Sequence, residues 1–461
     1  MRKLLVSLLL IAITGGAWAQ APSVISGTWN KRTPRTVKLF KMEDRGLQEV
    51  ASTNLGADNK FFFAFSPEKT GFYVVGVDEK RLNGYAFWFK AGDQLNVVMN
   101  ADNTYTLTGD NTPENKEMAR WHDFVFPLED MAVYFMGKNV TYVDFFPLLS
   151  EKLGKAAKWK PAYKKNAEFT AAFESFREFD LAYNAFNLLS TPRSAHPKSE
   201  DLPAYYHEMT LERLTSDRLL DYPWGMTLLN RYALVLNSFL PEEKAAMQGD
   251  AKSFSPTTLL PHIVGERVRG EQTIAAARPI KSYEALVEFE GKYGAYLVTD
   301  TQKARFKTQM AQVAENNPGQ QAIDFKFADR DGKETALSDL KGKVVYVDVW
   351  ATWCGPCRRE FPHMKTLEAE YHGNPDIVFM GVSVDETGDR QKWIDFLDKE
   401  QLPGLQLFAG DEAQAAIMRP YKIGSIPRFI LVGKDGNLIS AEAPRPSSEE
   451  IRAVLNKALN K

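Results

Sequence analysis

The sequence predicts a multidomain α+β protein: an N-terminal antiparallel β-sandwich-like domain over residues 20–112, a central helical region over 113–318 and a C-terminal α/β domain over 319–461. Three observations carry this. Short Val-, Phe- and Tyr-rich runs alternate with Gly, Asn and Asp turns early in the chain, apolar residues recur at helical spacing in its middle, and strand-like and helix-like runs alternate after the breaker cluster Asn317-Pro318-Gly319.

The chain opens with Met1-Arg2-Lys3, an apolar run from Leu4 to Ile13, and Ala17-Trp18-Ala19. A positive start, a short apolar core and a small-x-small exit describe a secretory signal peptide over residues 1–19, cleaved after Ala19. The run is too short to span a bilayer comfortably, and no cysteine follows it to carry a lipid. A periplasmic protein, soluble after cleavage, is therefore expected.

In the first domain, runs at 37–40, 61–65, 72–77, 85–89, 95–99 and 105–108 read as strands. Tyr85-Ala86-Phe87-Trp88-Phe89 reads as β-core or inter-domain contact in preference to a ligand-binding aromatic patch, because apolar strands are usually buried. Helical patterns follow near 117–131, 226–239, 283–296 and 301–315, with Thr191 to Pro203 as an exposed loop. Phe169, Phe173, Phe176 and Tyr183 share one helix face and read as core.

The third segment reads as a hairpin about Asp331-Gly332, a strand at 344–349, a helix at 354–371, a strand at 377–384, a helix at 390–399, strands at 405–408, 428–432 and 438–441, and a closing helix at 448–459. The chain's only two cysteines, Cys354 and Cys357, stand at the start of the first of these helices. Two thiols at that spacing close a small ring, and the first meets unpaired backbone N–H groups that favour a thiolate. Zinc would need further Cys or His ligands at pair spacing; His363 and His372 do not supply them. The formal net charge of −2 argues against nucleic acid as a partner.

Residues 322–461 resemble the thioredoxin fold, and within it the exported TlpA/ResA-like thiol–disulfide oxidoreductases. The resemblance is carried by Ala322-Ile323-Asp324-Phe325, by Leu337-Ser338-Asp339-Leu340-Lys341-Gly342-Lys343, by Trp353-Cys354-Gly355-Pro356-Cys357 and by Gly424-Ser425-Ile426-Pro427, in that order. It implies Cys354 as the attacking thiolate and Cys357 as the resolving thiol. It also implies Trp353, Gly355 and Pro356 as the shaped turn, and Ile426-Pro427 as a cis-proline loop that receives an extended substrate. Asp348, six residues before Cys354, matches the buried acid of thioredoxins, and Glu360, three after Cys357, matches a helix acid of this branch. Both are expected to handle the proton of Cys357. Ordinary surface roles compete, as a strand-end acid for Asp348 and as a helix-surface partner of a basic residue for Glu360.

The implied function is reduction of disulfides in exported proteins, with a membrane or periplasmic dithiol as electron donor and no cofactor; cytochrome c maturation is the family's frequent task. An envelope binding or scaffold protein with an accessory thioredoxin domain is the alternative from another class. A thiol peroxidase is a weaker one, since the Pro-x-x-x-Thr-x-x-Cys setting of peroxiredoxins is missing.

Overall fold

A computed structural model describes residues 21–31, 36–44, 46–248 and 254–460. The expected signal segment, 1–19, lies outside the described residues. Among these residues no helix is long and apolar enough to cross a membrane. The chain divides into two compact units, one running to Gln272 and one from Thr273 to Lys461.

Among the described residues, the first unit contains eight strands: β1 (Ser23–Trp29), β2 (Thr36–Glu43), β3 (Gly46–Asn54), β4 (Lys60–Phe65), β5 (Gly71–Gly76), β6 (Gly84–Phe89), β7 (Gln94–Met99) and β8 (Tyr105–Leu107). They form two four-stranded sheets, ordered β4-β1-β7-β8 and β3-β2-β5-β6. Ile25, Trp29, Phe61, Leu95 and Val97 from one sheet share a core with Leu39, Val75, Tyr85 and Phe87 from the other, which makes a sandwich. The expectation of a purely antiparallel domain needs correction, because β1 and β7 run parallel. Parallel neighbours need a long crossover, and β2–β6 supply one.

The β-rich and helical parts, expected as separate domains, lie in one unit. Trp88, on the outward face of β6, meets Phe169 of the helix Ala167–Ser190 with ring centroids 5.4 Å apart. Arg81 is buried between the two parts, with Nη2 2.7 Å from Glu129 Oε2 and 3.3 Å from Asp180 Oδ1. Asp180 also accepts from Trp121 Nε1 at 2.8 Å and from the Tyr222 hydroxyl at 3.0 Å. Removing one partner of such a buried ionic group typically costs about 3–5 kcal/mol, so the two parts are bound as one.

The second unit opens with the helices Tyr283–Tyr293 and Asp300–Glu315. The second unit thus takes in two helices ahead of the boundary expected at 318/319. The breaker cluster turns the chain without freeing it: Asn316 Nδ2 donates to Pro420 O at 3.0 Å and Gly319 N to Leu438 O at 2.8 Å. Seven strands follow: β9 (Lys326–Ala328), β10 (Glu334–Ala336), β11 (Val344–Trp350), β12 (Ile377–Ser383), β13 (Leu405–Phe408), β14 (Arg428–Val432) and β15 (Leu438–Ser440). Their order is β10-β9-β13-β12-β11-β14-β15. β11 is central and buried throughout, parallel to β12 and antiparallel to β14. Apolar layers cover both faces of the sheet, one built on Val345, Val347 and Ile430 and the other on Tyr346, Leu431 and Leu455. Both faces covered is what β11, apolar at every position but Asp348, requires.

Candidate active site

The carboxyl ends of β11 and β12 come level at Trp350 and Ser383, and the site is built beyond them. That edge is where open α/β sheets place ligands. β11 leads through Ala351-Thr352-Trp353 into the helix Gly355–Glu370, for which Cys354 is the N-cap residue and Pro356 stands in the first turn, where its missing N–H costs nothing.

Cys354 and Cys357 are joined as a disulfide, with Cα atoms 5.3 Å apart. Cys354 Sγ accepts from Cys357 N at 3.1 Å. A backbone donor and a helix N-terminus thus face the first sulfur, the combination that lowers a thiol's pKa. Both sulfurs sit in an apolar cluster with Trp350, Phe361 and Trp393, against which Ile426 packs. Trp353 is 64% exposed and stands beside the sulfur as an apolar flap. The Ile426–Pro427 peptide bond is cis.

Asp348 lies in β11 between Gly381 of β12 and Phe429 of β14. It is 5% exposed, and its Oδ1 has no hydrogen-bond partner among the described residues. Burial, reinforced by the Glu360 carboxylate, pushes its pKa up to about 8. Glu360 is also buried, on the helix face that carries Cys357. It accepts from Ser447 N at 3.1 Å and Ser447 Oγ at 3.0 Å, with Arg445 Nη1 3.7 Å away. Its basic partner is therefore real, but the site is interior. The competing surface readings of both acids do not describe these positions.

A groove of about 780 Å³ opens over Cys354. Trp353 and Pro356 form its thiol side, Ser425 and Ile426 one wall, and Glu386 and Asp411 the other. The structure thus brings together Trp353, Cys354, Gly355, Pro356 and Ile426 at the groove, and sets Cys357, Asp348 and Glu360 in the interior behind it. Pro427, next to Ile426, is half-buried.

Sequence reasoning missed three features. Asp385, fully buried, accepts from Thr352 N at 2.9 Å, Thr352 Oγ1 at 2.8 Å and Ser383 Oγ at 2.7 Å, which fixes the turn before Trp353. Ser447 and Arg445 hold Glu360 from a distant loop. The groove wall of Glu386 and Asp411 comes from segments after β12 and β13. The acids following the apolar strand Ile377–Ser383 were the available signal, since strand ends of this class of sheet line ligand sites. No group of three His, Cys, Asp or Glu side chains able to hold a metal ion occurs among the described residues.

A thioredoxin-like sheet with a Cys-x-x-Cys disulfide at the start of the helix after its central strand defines a thiol–disulfide oxidoreductase. The family described as Redoxin matches residues 317–458. The thiol-disulfide oxidoreductase ResA of Bacillus thuringiensis (strain Al Hakam) is 30% identical over 139 residues, covering 30% of this chain and 77% of that protein. The thioredoxin-like protein YneN of Bacillus subtilis (strain 168) is 41% identical over 73 residues, covering 16% and 43%. A crystal structure of a protein assigned as a thiol-disulfide oxidoreductase from Bacteroides vulgatus matches with 43% identity over 32% of this chain and 99% of its own, at a TM-score of 0.29. Through its C-terminal segment, the chain belongs to the ResA-like family of thiol–disulfide oxidoreductases.

Proposed function

We propose that the protein is exported to the periplasm and works mainly as a reductant of disulfides in other exported proteins. The observation that carries the proposal is the pairing of a helix-capping Cys354, open to a groove, with a shielded Cys357 backed by two buried carboxyl groups. In the reduced protein, the Cys354 thiolate attacks one client sulfur and the other leaves as a thiolate, giving a mixed disulfide. Cys357 loses its proton and attacks Cys354 Sγ, releasing the client's second thiol and restoring the Cys354–Cys357 disulfide. The client gains two electrons and two protons; a dithiol donor on a membrane or periplasmic carrier returns them to the protein.

Asp348 suits the proton step. Its pKa, raised to about 8 by burial, stands far nearer the thiol range than an ordinary aspartate's, which suits it to accept the proton of Cys357. Glu360, held by Ser447, keeps a second charge beside it and tunes it upward. Trp353, Gly355, Pro356, Ile426 and Pro427 form the surface that receives the client, apocytochromes c among the candidate clients. The first unit selects clients. Turnover of insulin disulfides with a chemical dithiol as donor tests the chemistry: wild type should catalyse it and Cys354→Ser should not. Wild-type protein without turnover would favour the scaffold reading, and recovery from the cytoplasmic fraction would overturn export.

A further inference from the structure

The groove over Cys354 has acidic residues on one wall, and a lysine packs against the loop that forms the other. β12 and β14 lie on opposite sides of β11, and their ends at this edge of the sheet continue into opposite walls. Beyond β12 stands Glu386, an exposed groove-lining residue whose carboxylate has no hydrogen bond or ion pair among the described residues. Asp411, after β13, stands on the same wall and accepts from Thr387 N at 3.3 Å. Ahead of β14, the wall is the loop containing Gly424, and Lys281 lies on it. A Cβ added to Gly424 would come 2.5 Å from Lys281 Nζ and 3.2 Å from its Cε. The end of the Lys281 side chain therefore packs against the backbone of this loop at Gly424. Lys281 lays its stem along the loop, and its ammonium, like the Glu386 carboxylate, has no described ion-pair partner. Of the basic residues that follow Cys357, Arg358 has its guanidinium over the Phe396 ring, 5.6 Å from the centroid.

An unpaired carboxylate beside Cys354 opposes thiolate formation, so Glu386 does not serve the attack itself. We propose that Lys281 and Glu386 are specificity-determining residues that orient an extended client segment. They favour a disulfide whose flanking charges run acidic toward the loop before β14 and basic toward the ends of β12 and β13. The inference rests on the oxidoreductase reading above, and it makes Lys281, from outside the matched Redoxin segment, part of the client site.

The test uses two disulfide-linked peptides of identical composition, with Lys on one side of the reactive cysteine and Glu on the other, and the order reversed in the second. Both are reduced by the full-length protein at low ionic strength, with an uncharged peptide alongside. The wild type should prefer one isomer in kcat/KM by about fivefold, the product of two exposed ion pairs. The preference should sit in KM and collapse below about twofold in 0.5 M salt, where screening is strong. Glu386→Gln and Lys281→Gln should each reduce it, and together abolish it. Equal turnover of the isomers by wild type, or a preference that survives both substitutions, overturns the proposal. If even the uncharged peptide is not reduced by wild type, the oxidoreductase reading falls and this proposal falls with it.

Discussion

At the scale of single residues, Asp348 has two separable consequences. As the base for Cys357 it must be ionised, so resolution of the mixed disulfide should speed up with pH and level off above about 8. Asp348→Asn should remove that inflection and slow resolution by about 10²–10⁴-fold while leaving formation of the mixed disulfide nearly intact. Rapid-quench kinetics measure both steps, and a loss below about threefold takes Asp348 out of the mechanism. The second consequence is thermodynamic. Its folded-state pKa stands above the ~3.9 of an unfolded aspartate, so its contribution is most favourable below about pH 4 and is lost as pH rises through 8. Asp348→Asn should therefore raise the unfolding midpoint at pH 8 relative to wild type, with little change at pH 4. Denaturant melts at the two pH values check it; equal shifts at both would contradict the raised pKa.

At the scale of elements, what was legible followed periodicity. β11, apolar but for Asp348, and the helix after it stood out because a covered central strand cannot hide its composition. β1 and β3 were missed for physical reasons. β3 is an edge strand with mostly half-exposed and exposed polar residues, and β1 carries Ser and Gly, so neither has the apolar alternation that marks a strand. The site was legible where chemistry demands particular residues at fixed spacing, as in Cys354-Gly355-Pro356-Cys357. It was illegible where a side chain acts across the fold, as Ser447 does on Glu360 from 87 residues away. Asp385 joins the end of β12 to the turn after β11. Asp385→Ala would orphan the buried donors of Thr352, and should cost about 1–3 kcal/mol and loosen the turn before Trp353. Chemical denaturation of the oxidised protein measures the cost, and a change under about 0.5 kcal/mol would mean the turn is held by packing alone.

At the scale of the whole molecule, the chain divides at 272/273, and both cysteines, Asp348 and Glu360 all lie in the second unit. A truncated protein beginning at Thr273 should fold and reduce insulin at near the full-length rate. One beginning at Gln320 should melt lower, having lost the Asn316–Pro420 hydrogen bond and the packing of Lys281 on Gly424. Equal midpoints by calorimetry would make the helices at 283–315 incidental to the second unit. The proposed exchange depends on Cys354 attacking and Cys357 resolving. The most direct measurement is mass spectrometry of mixed disulfides trapped by the full-length protein in envelope extracts, with Cys357→Ser and Cys354→Ser compared side by side. Cys357→Ser should accumulate adducts on Cys354, and Cys354→Ser should trap few or none; abundant adducts on Cys357 would contradict the assignment of both thiols.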